Sequence, residues 1–357
     1  MILTVIAEDG DLIVEVVQYS EDTWNANSNP VSEEIAQFRV DRNVLIKASQ
    51  PLLKMLLDPK WKEANQSVLS LNEGRVVSTE IWLRVIHKAT INVIVPFREI
   101  WHLVAAIDYY DLDITKFNPW FAAWYSECNT QLLKPRELLF PTWRFDHAKG
   151  FARWTRYLAY EEKGHITEAN PAKLWSYHLP GRIIQQLNAA KGRLRTVLHR
   201  GLFRPCEHLF SANCKCRKET LYDYQKHLVD IDVWPLETVF QRTPMNEILD
   251  RLEKFNFEAK LSACGACRRD YKSPVEETVE FVRYYFDGLC LDCLNRSKPK
   301  LKDPDMDYWR HHTLKEHEWI TGCRFRHKQP TWYFSFMGRK EDRDRFMGRR
   351  RRDSDSD

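Results

Sequence analysis

Long apolar runs are missing. No stretch approaches the roughly 18 consecutive apolar residues that a membrane span requires, so no membrane partner is expected. Glycine is scarce at 12 residues and proline is held to 16, which excludes a collagen-like or linker-dominated chain. A dominant charge is absent as well: 54 Lys and Arg face 50 Asp and Glu, a net of +4. That balance gives no reason to expect nucleic acid as the partner. There is no Gly-rich phosphate loop, no nucleophile elbow and no His-Glu-x-x-His helix. With no nucleophile–base pair visible either, no enzyme is expected. Met1 to Ala7 is apolar but meets Glu8 and Asp9 with no basic lead. A signal peptide is therefore not expected, and the expected location is intracellular, in cytoplasm, nucleus or both.

What is present points to folded domains. The 357 residues exceed one typical domain of about 150, and 43% are hydrophobic. Thirteen Trp contribute to an aromatic content of 13%, and many of these rings should be core. Asp11 to Tyr19 and Ile35 to Val40 read as strands around a polar loop. Asp41 suits a helix cap, with Val44, Leu45 and Ala48 facing inward. Pro51 opens a further helix, Val68 to Leu71 reads as a short strand, and helices follow from Ser78 and after Pro96. Residues from about 120 to 260 read as mostly helical. Arg182 to Gly201 repeats Leu and Ile at helical steps, with Lys191, Arg193 and Arg195 expected in solvent. Val275 to Phe286 reads as another helix.

The first unit resembles the BTB/POZ domain. The resemblance is carried by Asp11 opening a strand, by Phe38-Arg39-Val40-Asp41-Arg42-Asn43-Val44-Leu45, and by Ser49 with Pro51-Leu52-Leu53. Val68-Leu69-Ser70-Leu71, Trp82-Leu83 with Ile86, and Leu103 to Leu112 extend it, so that it covers about residues 8 to 115. Asp108-Tyr109-Tyr110-Asp111, Trp120-Phe121 and the later Asp287 to Leu294 are similar to BTB-containing proteins of filamentous fungi. The resemblance implies a protein–protein interaction module. Some members form homodimers, and some are substrate adaptors of cullin-type ubiquitin ligases. Such adaptors often carry an apolar-x-Glu element between the early helix pair and the next strand. Trp61-Lys62-Glu63 stands there, and an exposed ring beside a carboxylate makes a reasonable contact point. Trp61 and Glu63 are thus the candidate partner-binding residues; the alternative is that Trp61 packs on its own domain.

Cysteine carries the other signal. Nine Cys in a reducing compartment are poor disulfide candidates and better metal ligands. Cys264-Gly265-Ala266-Cys267 and Cys290-Leu291-Asp292-Cys293 are CxxC pairs with 22 residues between them. Each such turn delivers two thiolates to one side of a tetrahedral zinc, and the expectation is one structural site holding all four. Cys206, Cys214 and Cys216 form a second candidate site needing a fourth ligand, for which His208, Cys323 and His327 are available. Cys128 reads as a core thiol.

Weaker signals are set aside. Asp303-Pro304-Asp305-Met306-Asp307 mimics a calcium loop, but Tyr308 and Leu314 stand where Gly and Glu belong. His311, His312 and His317 read as solvated. Trp309, Trp319, Trp332, Tyr333, Phe334 and Phe336 read as rings around the zinc rather than stacking platforms for nucleic acid. Arg349 to Arg352 is either an import signal or a solvated tail, and Ser354 and Ser356 are flanked by Asp.

The expected fold is α+β: a BTB/POZ domain over 8–115 (a mixed sheet flanked by helices), a helical extension over 116–200, a zinc-stabilised Cys-rich domain over 201–338, mainly helical, and a disordered tail over 339–357. The expected function is non-catalytic, an adaptor joining protein partners. The rival is a nuclear nucleic-acid-binding or transcription-related factor using the Cys-rich region.

Overall fold

The computed structural model describes residues 3–19, 32–72, 74–92, 95–127, 134–174, 177–296, 323–325 and 327. Cys128, the Asp303 to Asp307 run, His311, His312, His317, the rings from Trp309 to Trp319 and from Trp332 to Phe336, Arg349 to Arg352, Ser354 and Ser356 lie outside them. The chain divides into two compact units. One is Met1–His147 with Asn170–Tyr177; the other is Ala148–Ala169 with His178–Asp357.

The first unit is built on a four-stranded mixed sheet. Its strands are β1 (Leu3–Val5), β2 (Leu12–Tyr19), β3 (Ser32–Val40) and β4 (Val68–Leu71), in the order β1-β3-β2-β4. β2 runs antiparallel to β3 and parallel to β4, and β1 is parallel to β3. Val14 stands opposite Phe38 on one side and Leu69 on the other, while Leu12 faces Val40 and Val16 faces Leu71. All of these are buried. Alternation along each strand therefore puts one apolar face of the sheet against the helices.

Those helices follow their local signals. Asp41 caps α1 (Arg42–Ala48), its Oδ1 accepting from the Asn43 N–H at 2.7 Å. Ser49 caps α2 (Gln50–Leu57) through the Leu52 N–H at 3.1 Å. α3 (Val76–Ile86) buries Ile81, Trp82 and Leu83, and starts two residues before Ser78, whose hydroxyl donates to the Arg75 carbonyl at 3.2 Å. α4 (Phe97–Tyr109), α5 (Asn118–Glu127) and α6 (Pro135–Arg144) complete the unit. Trp101 stacks on Phe140 at 4.7 Å, and Phe121 on Phe145 at 4.5 Å. The expected aromatic core is found here.

The second unit is helical: α7 (Ala148–Glu161), α8 (Gly181–Ser211), α9 (Arg217–Asp230), α10 (Leu236–Arg242), α11 (Met245–Leu252), α12 (Lys272–Arg283) and α13 (Leu291–Arg296). α8 runs for 31 residues, continuing past Gly201 and through Pro205. At Gly201 it is touched by α12, where a Cβ would lie 2.1 Å from Thr278 Cγ2. Lys191, Arg193 and Arg195 of α8 do not form the solvent face expected of them. Lys191 is 5% exposed and donates to the carbonyls of Glu162 and Gly164. Arg193 donates to the Tyr285 hydroxyl at 3.1 Å, and Arg195 lies over the Phe240 ring and donates to its carbonyl. Acceptors far along the chain, three carbonyls and a hydroxyl, make these charges tolerable there. Among the described residues, no helix is long and apolar enough to cross a membrane.

Candidate metal centres

Two clusters of metal-binding side chains form in the second unit: Cys214, Cys216, Cys264 and Cys267; and Cys290, Cys293, Cys323 and His327. In each, the ligand atoms all lie within 4.8 Å of one another.

The first cluster joins two turns. α8 ends at Ser211, and the turn after it carries Cys214 and then Cys216, the residue that caps α9. Thr220 ties that turn down, its N–H and hydroxyl donating to the Cys216 carbonyl at 3.0 and 3.1 Å. The facing turn is a knuckle in which the N–H groups of Cys267 and Arg268 both donate to the Cys264 carbonyl at 2.9 Å. Tyr271 holds its far end by donating to the Cys267 carbonyl at 2.8 Å. Cys214 and Cys267 bring their sulfurs to 3.4 Å, and the Cys264 N–H points at the Cys216 sulfur.

The second cluster starts from the entrance of α13. Gly288 has φ +105°, and a Cβ there would sit 2.1 Å from the Ala152 carbonyl oxygen. Only glycine fits that approach to α7. The Leu289 N–H then donates to the Thr155 hydroxyl at 2.8 Å. The chain so pinned delivers Cys290 and Cys293, both buried, into the unit. Cys323 Sγ lies 3.8 Å from Cys293 Sγ, and His327 Nε2 lies 3.4 Å from the same sulfur. Asp292, inside the motif, accepts from the Arg324 N–H at 2.7 Å and from its Nε at 2.9 Å.

The electrostatics fit a bound cation. Hydrogen bonds from the Cys267 N–H and from the neighbouring thiols bring Cys264 down to about 7, while burial and those same thiols push Cys267 up to about 12. Cys290 is drawn down to about 4 by the Cys293 thiol that donates to it, and Cys293 is driven far up in return. Thiols this close do not all ionise unless a positive charge stands between them. A tetrahedral ion with metal–sulfur bonds of about 2.3 Å separates its sulfurs by about 3.8 Å, close to the spacings here. All of these cysteines are free thiols rather than disulfides.

The structure corrects the expected pairing. Cys264, Cys267, Cys290 and Cys293 do not share one site; the two CxxC pairs go to different clusters. α12 separates them, and the chain beyond it is anchored at Gly288 on α7 instead of doubling back along the helix. Cys206 and His208 belong to neither cluster. α8 continues to Ser211, so Cys206 stays on its inner face beside Leu202 and Leu209, where burial raises its thiol to about 11. His208 is exposed in the last turn. Cys323 and His327 both stand in the second cluster, and Cys214 with Cys216 completes the first. Asp292 and Arg324 were not singled out as a pair by the sequence; the signal available was their position beside cysteines.

In the first unit, Trp61 and Glu63 occupy the surface turn after α2. Trp61 is 47% exposed, its N–H donating to the Asp58 carbonyl at 2.9 Å. Glu63 is half-exposed in a short 3-10 helix, Lys62–Asn65. Compared with models of known protein families, with curated proteins and with solved structures, the chain matches none.

Proposed function

We propose that this protein is a non-catalytic interaction protein, with a BTB/POZ-type module in its first unit and two structural zinc ions in its second. The observation that carries the reading is the pair of closed donor sets, four thiolates in one and three thiolates with an imidazole in the other. Soft sets of four suit structural zinc and leave no position open for a reacting water.

The module reading is supported by element order. A β2–β3 hairpin, a helix pair, a strand added parallel to β2 and then α3 and α4 follow one another, as the BTB/POZ resemblance implies. The adaptor version is supported by Trp61, a large ring left half in solvent with Glu63 two residues away. Rings of this kind become contact points when a partner removes them from water.

Two measurements test the proposal. Elemental analysis of the purified full chain should find two zinc ions per chain; none overturns the structural-metal half. Titration of a purified cullin N-terminal domain should show binding that the Trp61→Ala/Glu63→Ala variant loses. No binding by the wild type removes the ligase-adaptor version.

A further inference from the structure

We propose that Asp292 is a positioning residue for the second metal site, clamping Arg324 so that Cys323 and His327 are seated against Cys290 and Cys293. The inference rests on the zinc reading and deepens it.

Both sites join ligands that are far apart in sequence, 48 residues from Cys216 to Cys264 in the first and 30 from Cys293 to Cys323 in the second. In the second, Cys290 and Cys293 are fixed at the start of α13. Bringing together residues so far apart along a chain costs entropy that grows with the separation. A contact that recognises the incoming segment at the ligands themselves lowers the cost of placing them correctly.

Asp292 has the geometry for this. It stands between the two cysteines of the motif, and its carboxylate meets the residue that follows Cys323. Oδ2 accepts from the Arg324 backbone N–H at 2.7 Å, which fixes the main chain one residue after Cys323. Oδ1 accepts from Arg324 Nε at 2.9 Å and lies 2.8 Å from its terminal nitrogen. The carboxylate thus grips backbone and guanidinium together, which sets orientation as well as contact. Its oxygens face Arg324, and it is not among the cluster's ligands. Its charge is matched by that of Arg324, so the ion pair adds no net charge beside the three thiolates. The role left to Asp292 is geometric, as with other groups that hold metal ligands in place.

The test uses the full-length, metal-loaded chain, titrated with a competing chelator. A parallel cobalt(II)-substituted sample distinguishes the site with one nitrogen ligand from the all-sulfur site by its visible spectrum. Asp292→Ala should weaken the second site by about 10–100-fold and leave the first unchanged. Arg324→Ala keeps the backbone N–H and should weaken the second site less. Arg324→Lys should restore part of the loss, since it returns the charge without the fork. Unchanged second-site affinity in Asp292→Ala overturns the clamp. Equal weakening of both sites also overturns it, because that is the mark of general unfolding. Should Asp292→Ala not fold, the Arg324 pair of variants decides: equal affinity in all three chains overturns the proposal. A wild type that takes up no metal at the second site fails the zinc reading itself, an outcome distinct from two metals with an unmoved second site.

Discussion

In the first cluster both ligand pairs lie on turns that helices hold: Cys214 and Cys216 between α8 and α9, Cys264 and Cys267 just ahead of α12. In the second, Cys290 and Cys293 sit buried at the head of α13, while Cys323 and His327 come from a short segment far along the chain. The same CxxC turn therefore serves two ends. On the zinc reading, a metal in the first cluster would staple parts of the unit that already pack on each other. One in the second would fasten a distant segment to a seat that the unit has already built. A metal's contribution to a fold depends on what lies on either side of its ligands, not on the ligand set alone.

The largest expected effect is at the first cluster. Cys267→Ser should release that metal and destabilise the second unit by more than about 4 kcal/mol, read by calorimetry beside metal content. Next comes the seat of the second cluster. Gly288→Ala forces a Cβ onto the Ala152 carbonyl at positive φ and should cost about 3 kcal/mol. It should also lower second-site occupancy while the first stays full. Cys323→Ser should lose one metal yet shift the main unfolding transition by only about 1 kcal/mol. An effect as large as that of Cys267→Ser would erase the distinction between staple and fastener. The smallest effect is expected from Cys206→Ala, which should keep both metals and cost about 1 kcal/mol. Loss of a metal there would return Cys206 to the ligand set.

Much of the sheet was legible. β2, β3 and β4 announce themselves through β-branched residues and alternation, and Asp41 through its cap position. β1 was not, because three residues carry no period and its pairing with β3 is visible only in space. Lys191 defied its charge for the same kind of reason: the carbonyls that accept it belong to Glu162 and Gly164, outside any local pattern. At the metal centres the ligand types were legible and the partnerships were not. Spacing shows that Cys264 and Cys267 act together. It cannot show that they meet Cys214 and Cys216 in preference to Cys290 and Cys293, because the fold of α12 and the anchor at Gly288 decide that.

The ligands of the two clusters are not interleaved. Every residue of the first, from Cys214 to Cys267, precedes every residue of the second, from Cys290 to His327. The centres can therefore be completed in order as the chain leaves the ribosome. At a synthesis rate of about 5–20 residues per second, the 60 positions from Cys267 to His327 take about 3–12 s. During that interval the first set of donors is complete, while the second set still lacks its last member. The order of these residues along the chain thus sets a schedule in which one donor set is complete before the other.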